Sequence, residues 1–146
     1  MDFQVRCYLV PPERDAEALK KEISRTAPGL LVVQVASSDA VRNQAFVELL
    51  AWQTVWASSS GSLLAKTPEM DLLLRLSGTS QISEAIKNTG ARKGRRNVLI
   101  LAGGRGQLGR LSRTLLAGAS RVKSTPLSAE ESARVERAAL LGAARA

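Results

Sequence analysis

Gly104, Gly106 and Gly109 stand in the order G-x-G-x-x-G, directly after the apolar run VLILA at residues 98–102. Glycines at that spacing let a backbone approach a phosphate at the start of a helix. The partners such a site needs are missing. No Asp or Glu occurs between Ala85 and Ala129, so no acid stands about twenty residues on to hold a ribose, and no Gly-Lys-Ser or Gly-Lys-Thr follows. A tight turn with basic neighbours fits the residues better than a nucleotide site. Other constellations are thinner still. The absence of histidine excludes Ser-His-Asp and Cys-His catalysis and any His-ligated zinc. Glu130 and Glu131 are adjacent and point to different helix faces, as do Glu69 and Asp71. Cys7 lies among alternating apolar residues and reads as a small core residue. No serine has a plausible base beside it. The chain is expected not to be an enzyme and to need no cofactor or metal.

Charge supplies the positive signal. The net charge is +8 over 146 residues. Residues 1–65 carry six basic and seven acidic side chains, residues 66–146 fifteen and six, and the acid-free stretch between Ala85 and Ala129 holds ten Lys or Arg. A one-signed block of this kind points to an anionic partner, nucleic acid first. The five aromatics, Phe3, Tyr8, Phe46, Trp52 and Trp56, leave few platforms for stacking bases.

These residues need elements to hold them. Residues 2–10 alternate, with Phe3, Val5, Cys7 and Leu9 on one face and Gln4, Arg6 and Tyr8 on the other, as in a half-buried strand. Residues 13–26 place Ala16, Leu19 and Ile23 at helical spacing and stop before Pro28-Gly29. LLVVQVA at 30–36 reads as a buried strand. Ser37 to Asp39 then cap a long helix over 39–57, with Val41, Ala45, Leu49, Trp52 and Trp56 at helical spacing, the tryptophans being core or interface anchors. Two short helices follow in residues 66–90, broken at Ser77-Gly78. Thr67 caps the first and Pro68 opens it; Met70, Leu73 and Leu74 face inward; Asp71 and Arg75 pair weakly outside. Thr79 or Ser80 caps the second, with Ile82, Ala85 and Ile86 inward. After VLILA come a helix over 107–117, an edge strand within 120–125, and a last helix opened by a Ser128–Glu131 capping box. The order is β-α-β-α-α-α-β-α-β-α.

The segment LLRLSGTSQISEAIKNTG within residues 66–90 resembles the signature of the Cgi121 (TPRKB) family, archaeal type, E-x-L-L-x-x-(S/A)-G-x-x-Q-I-x-x-A-I-x-x-x-G. Glu69, Leu72, Leu73, Ser77, Gly78, Gln81, Ile82, Ala85, Ile86 and Gly90 match it. Ser80 stands where archaeal members often carry arginine. The resemblance implies a non-catalytic subunit of the KEOPS complex, which makes the tRNA modification N6-threonylcarbamoyladenosine (t6A37). In that complex Kae1 carries the transfer chemistry and Pcc1 supports dimerisation. Cgi121 binds the kinase-like ATPase Bud32 directly, and archaeal members bind tRNA through its 3′ CCA end.

The expected fold is therefore a single α/β (α+β) domain over residues 1–146, with a mostly antiparallel or mixed sheet of three to four strands and about six helices. The expected RNA-binding surface comprises Arg75, Gln81, Lys87, Arg92, Lys93, Arg95, Arg96, Arg105, Arg110 and Arg113. Two other readings are a pure protein-interaction regulator of Bud32, and a small nucleotide-binding protein using Gly104, Gly106 and Gly109. A lone cysteine and an N-terminus that opens straight into a strand fit a cytoplasmic protein without a membrane segment.

Overall fold

The computed structural model describes residues 3–111 and 115–143. Among them ten elements follow in the expected order: β1 Phe3–Val10, α1 Ala16–Thr26, β2 Val32–Ser37, α2 Gln44–Ser60, α3 Pro68–Ser77, α4 Ile82–Thr89, β3 Asn97–Gly104, α5 Arg105–Leu108, β4 Ser120–Arg121 and α6 Ala129–Ala143. The fold class is α+β. The chain forms two compact units, each assembled from two stretches of sequence: residues 1–38 with 91–122, and residues 39–90 with 123–146.

The first unit is built on one four-stranded sheet, ordered β2-β3-β1-β4 and antiparallel throughout. β3 lies between β1 and β2 and is buried from Asn97 to Gly103. Burial on both faces explains why VLILA reads as a continuous apolar run and does not alternate. One face carries Val10, Val33, Val35, Leu99 and Leu101, which pack with Leu19 and Ile23 of α1 and with Leu108. Tyr8 packs against that cluster too, so β1 is more deeply set than a half-buried strand. Asp15 accepts a hydrogen bond from Ala18 N at 3.1 Å and starts α1. The edge strand β4 has two residues; Arg121 lies over the Tyr8 ring at 5.4 Å and Val122 N donates to Cys7 O at 2.9 Å.

Of the helix expected over 107–117, residues 112–114 lie outside the described residues, and the described part is helical only in the single turn Arg105–Leu108. Gly106 and Gly109 explain its brevity, because each glycine in a helix costs about 1 kcal/mol relative to alanine. Leu108 and Leu115 are buried as expected, and Leu111 is half-buried.

The second unit is helical. α2 begins at Gln44, five residues later than expected, because Ser37 ends β2 and the cap is Asn43. Asn43 Oδ1 accepts from Ala45 N at 3.1 Å and from Thr125 N at 2.9 Å. Its Nδ2 donates to Thr125 O and to Glu131 Oε1 at 3.1 and 3.3 Å. One buried amide thus caps α2 and ties it to the segment that enters α6. The Ser128–Glu131 capping box is present, with Glu131 N donating to Ser128 Oγ at 3.1 Å and Ser128 N to Glu131 Oε1 at 3.0 Å.

The inward face of α2 is Phe46, Val47, Leu50, Ala51, Thr54 and Ala57. Of the residues read at one helical spacing, Val41 is buried ahead of the helix, whereas Leu49 and Trp52 are each 43% exposed and Trp56 is 75% exposed. The helix is apolar on both sides, so spacing alone selects neither face. Thr54 marks the inner face, where its hydroxyl donates to the buried Asp71 carboxylate. α3 is buried all round from Asp71 to Leu76. Thr67 Oγ1 accepts from Met70 N at 3.2 Å, and Gly78 ends the helix in the left-handed region at φ +73°. α4 starts at Ile82, with Gln81 at the N-cap position in place of Thr79 or Ser80; Thr79 Oγ1 accepts from Gln81 N at 3.1 Å. Only Ala85 and Thr89 of α4 are buried, while Ile82 and Ile86 are 48% and 50% exposed, against expectation. At its end Gly90 lies against the chain: a Cβ there would stand 2.5 Å from Ile86 O, so no larger residue fits without a shift.

The hydrogen bond from Ser128 N, with smaller help from the Asn43 amide and the charge of Arg134, holds the Glu131 carboxyl below its ordinary value, overcoming the opposing effect of burial. A carboxyl lowered on folding adds stability that is complete above its unfolded pKa and is lost as pH falls through the folded one. Urea unfolding from about pH 6 to about pH 3 should therefore show a shallower loss of stability for Glu131→Gln, which keeps the capping geometry without the charge, than for the parent chain. Equal slopes would show that the carboxylate charge adds nothing.

Candidate interaction surfaces

Arg75, expected on an outer face and among the RNA contacts, is 4% exposed, and Asp71 is fully buried. Arg75 Nε donates to Asp71 Oδ1 at 2.7 Å and Nη2 to Oδ2 at 3.2 Å. The other side of the guanidinium donates through Nη1 to Ala138 O at 3.1 Å and to Gln53 Oε1 at 3.3 Å. Asp71 also accepts from Thr54 Oγ1 at 2.6 Å and from Leu64 N at 2.9 Å. That need for a donor is what turns Thr54, and with it one face of α2, inward. Gln53 completes the network by donating to Val135 O at 3.1 Å. Among the described residues no buried side-chain nitrogen or oxygen lacks a partner. Arg75 is a structural residue that joins α2, α3 and α6.

The second unit also carries exposed groups. Gln81 and Lys87 lie at the two ends of α4, both exposed, and Gln81 makes no side-chain capping bond. Leu49, Trp52 and Trp56 rise along the outer side of α2 at spacings of three and four residues, which places them on one stripe. Leu140 on α6 is 67% exposed. An apolar stripe with two tryptophans facing solvent is unusual for a monomer, and exposed patches of this kind are where proteins commonly meet partners. Arg134 is turned inward instead, donating to Leu76 O at 2.6 Å and lying 4.7 Å from the Phe46 ring centroid.

In the first unit the basic block divides. Residues 91–96 form an exposed turn that holds Arg92, Lys93, Arg95 and Arg96 within five positions. Arg105 and Arg110 are exposed too, but they follow the far end of β3. Eight strand residues lie between the two groups, roughly 23 Å of rise. The expected single basic surface is therefore at least two sites within this unit, and Arg113 lies outside the described residues. The turn abuts a groove of about 480 Å³ whose other lining residues run from Pro12 to Glu17, including Glu13, Asp15 and Glu17. Asn97 anchors the turn, a role the sequence reading missed. Its Oδ1 accepts from Arg92 N at 2.8 Å, and its Nδ2 donates to Arg92 O and Arg95 O at 3.0 and 3.3 Å. The only sequence signal was its place just after a Gly-Arg-Arg run.

The glycine turn after β3 is a packing feature. Gly104 N donates to Gln107 Oε1 at 3.0 Å, so that amide is already satisfied by the chain. A Cβ on Gly103 would lie 2.6 Å from Leu30 Cδ2, which explains that glycine without a ligand. Four helical residues after Gly104 give little dipole to hold a phosphate. Among the described residues no group of three or more His, Cys, Asp or Glu could hold a metal ion, and no helix is long and apolar enough to cross a membrane.

Over 70 residues the chain is 43% identical to the KEOPS complex subunit Cgi121 of Pyrococcus abyssi (strain GE5 / Orsay). The aligned stretch is 48% of this chain and 39% of that protein, so the chain spans about two-fifths of the length of the curated relative it matches. No protein-family model matches the chain.

Removing one partner of a buried, fully bonded ion pair typically costs about 3–5 kcal/mol, because the other charge is left stranded. Arg75→Ala should lower unfolding free energy by about that amount in urea. Replacing both partners at once, Asp71→Asn with Arg75→Met, should cost less than Arg75→Ala alone. If Arg75→Ala unfolds at the same midpoint as the parent, the pair does not hold the helices together.

Proposed function

We propose that this chain is a non-catalytic subunit of a KEOPS-type tRNA-modifying assembly, docking on the Bud32 kinase subunit and recruiting tRNA. The similarity to a protein named KEOPS complex subunit Cgi121 carries this reading. The match of residues 69–90 to the family signature supports it, as does the way those residues are used: Gly78 ends α3 and Gly90 fits only as glycine at the end of α4. Kae1 and Pcc1 would be partners through the assembly, in a cytoplasmic setting, with t6A37 in tRNA as the product of the whole.

The two surfaces divide the work. The α2 stripe of Leu49, Trp52 and Trp56 is the docking face for the kinase, because exposed tryptophans in an apolar surround are the residues that most often dominate a protein interface. The basic turn at Arg92, Lys93, Arg95 and Arg96 meets the tRNA backbone, with Arg105 and Arg110 as a second contact and Gln81 and Lys87 as contacts on α4. Arg75 has no part in RNA contact on this reading, since its donors are spent inside. Ser80 is exposed, so the arginine that archaeal members of the family often carry there would reach solvent.

Filter binding with tRNA, and with the same tRNA lacking its CCA end, tests recruitment. Affinity should fall by at least about tenfold without the end, since stacking and base-edge contacts to a single strand are worth about 1–3 kcal/mol per base. Equal affinity would remove the end from the account. Binding of intact tRNA should also weaken steeply from about 50 to about 200 mM salt. For the kinase, Trp56→Ala should raise the Kd for Bud32 by about thirtyfold or more at unchanged thermal stability, as expected of an interface anchor worth about 2 kcal/mol. Unchanged affinity in the Trp52→Ala, Trp56→Ala double variant would move the docking face elsewhere.

A further inference from the structure

We infer that the basic turn at residues 92–96 is a preorganised phosphate-binding device, and that Asn97 is its positioning residue; the inference rests on the reading that RNA is the partner. Four cations in five positions repel one another, so an unrestrained loop would spread them. Here the backbone is fixed instead. The Asn97 amide holds both the N–H and the carbonyl of Arg92 and the carbonyl of Arg95. Arg95 N closes the turn onto Arg92 O at 3.3 Å. Asn97 is itself 4% exposed and is the first residue of the central strand, paired with Val10 on one side and Ser37 on the other. A strand paired on both edges and buried along its length therefore begins at a clamp on the most charged turn. The cost of gathering the cations is met on folding and not again on binding, which is how preorganisation raises affinity. Glu13, Asp15 and Glu17 line the adjoining groove and disfavour a phosphate within it, so the strand is held on the turn and not drawn into the groove.

Gly94 makes the idea testable apart from the clamp. It takes φ +75°, and a Cβ added there meets nothing within 4 Å. Alanine at that position therefore strains the backbone without a clash, whereas asparagine tolerates the left-handed conformation. In tRNA binding well below the melting temperature, Asn97→Ala should weaken affinity about fivefold or more and Gly94→Ala about tenfold, with Gly94→Asn falling by a smaller factor. All three should keep the salt dependence of the parent, because the phosphate contacts are unchanged in number. Lys93→Ala or Arg95→Ala should instead reduce the salt slope by about one. If Asn97→Ala and Gly94→Ala bind tRNA as the parent does while Lys93→Ala weakens it, preorganisation is wrong and the RNA reading stands. If the charge variants also bind as the parent does, the turn does not meet RNA and both fall.

Discussion

The helical unit depends on one buried ion pair. Asp71 and Arg75 sit one turn apart on a helix whose neighbours are otherwise leucine, and each oxygen and nitrogen they bring inside must find a partner there. They find Thr54, Gln53, the Leu64 amide and the Ala138 carbonyl. That set dictates the rest of the packing. It fixes the rotation of α2 by requiring Thr54 on the inside. It brings α6 close enough for the Ala138 carbonyl to accept, with alanine at the point of contact. It also turns the tryptophans out. A core built only of leucine would have had no reason to prefer that face of α2, so a polar requirement in the interior produces the apolar stripe on the surface.

A second constraint governs the sheet unit in a similar way. β3 is covered on both faces and paired on both edges, so its position is set by neighbours on every side. Its two ends carry the functional candidates, the clamped basic turn before it and Arg105 and Arg110 after it. Rigidity of the strand becomes definition of the charge positions at either end. The glycines that look like a nucleotide fingerprint belong to this packing: Gly103 makes room for Leu30, and the Gly104 amide is met by Gln107.

Much of this was legible in the residue order. Strand alternation, helix caps at Thr67 and Ser128, and the breaks at Gly78 and Gly90 give the ten elements in their order, because each rests on local chemistry. What was not legible rests on partners distant in sequence. Arg75 looked like a surface residue because an i,i+4 acid-base pair is most often exposed; only Gln53 and Ala138, both far along the chain, reveal it as buried. Trp52 and Trp56 read as core or interface anchors alike, because apolar spacing does not tell the two sides of a doubly apolar helix apart. Ile82 and Ile86 misled in the same way, with Ala85 and Thr89 taking the contact. The basic block looked continuous in sequence, and an extended strand parts it in space. Asn43 and Asn97 were passed over because a turn asparagine announces a bend without announcing which chain it will hold.

In the proposed reading the chain, similar in sequence to Cgi121 over 70 residues, docks on the Bud32 subunit through an exposed apolar helix face and stays apart from the chemistry of the assembly. Co-expression with the Bud32 subunit, followed by size-exclusion chromatography, tests that docking. One peak containing both chains in equal amounts is expected; two peaks with the chain eluting on its own, at concentrations where it is folded, would contradict the kinase partnership.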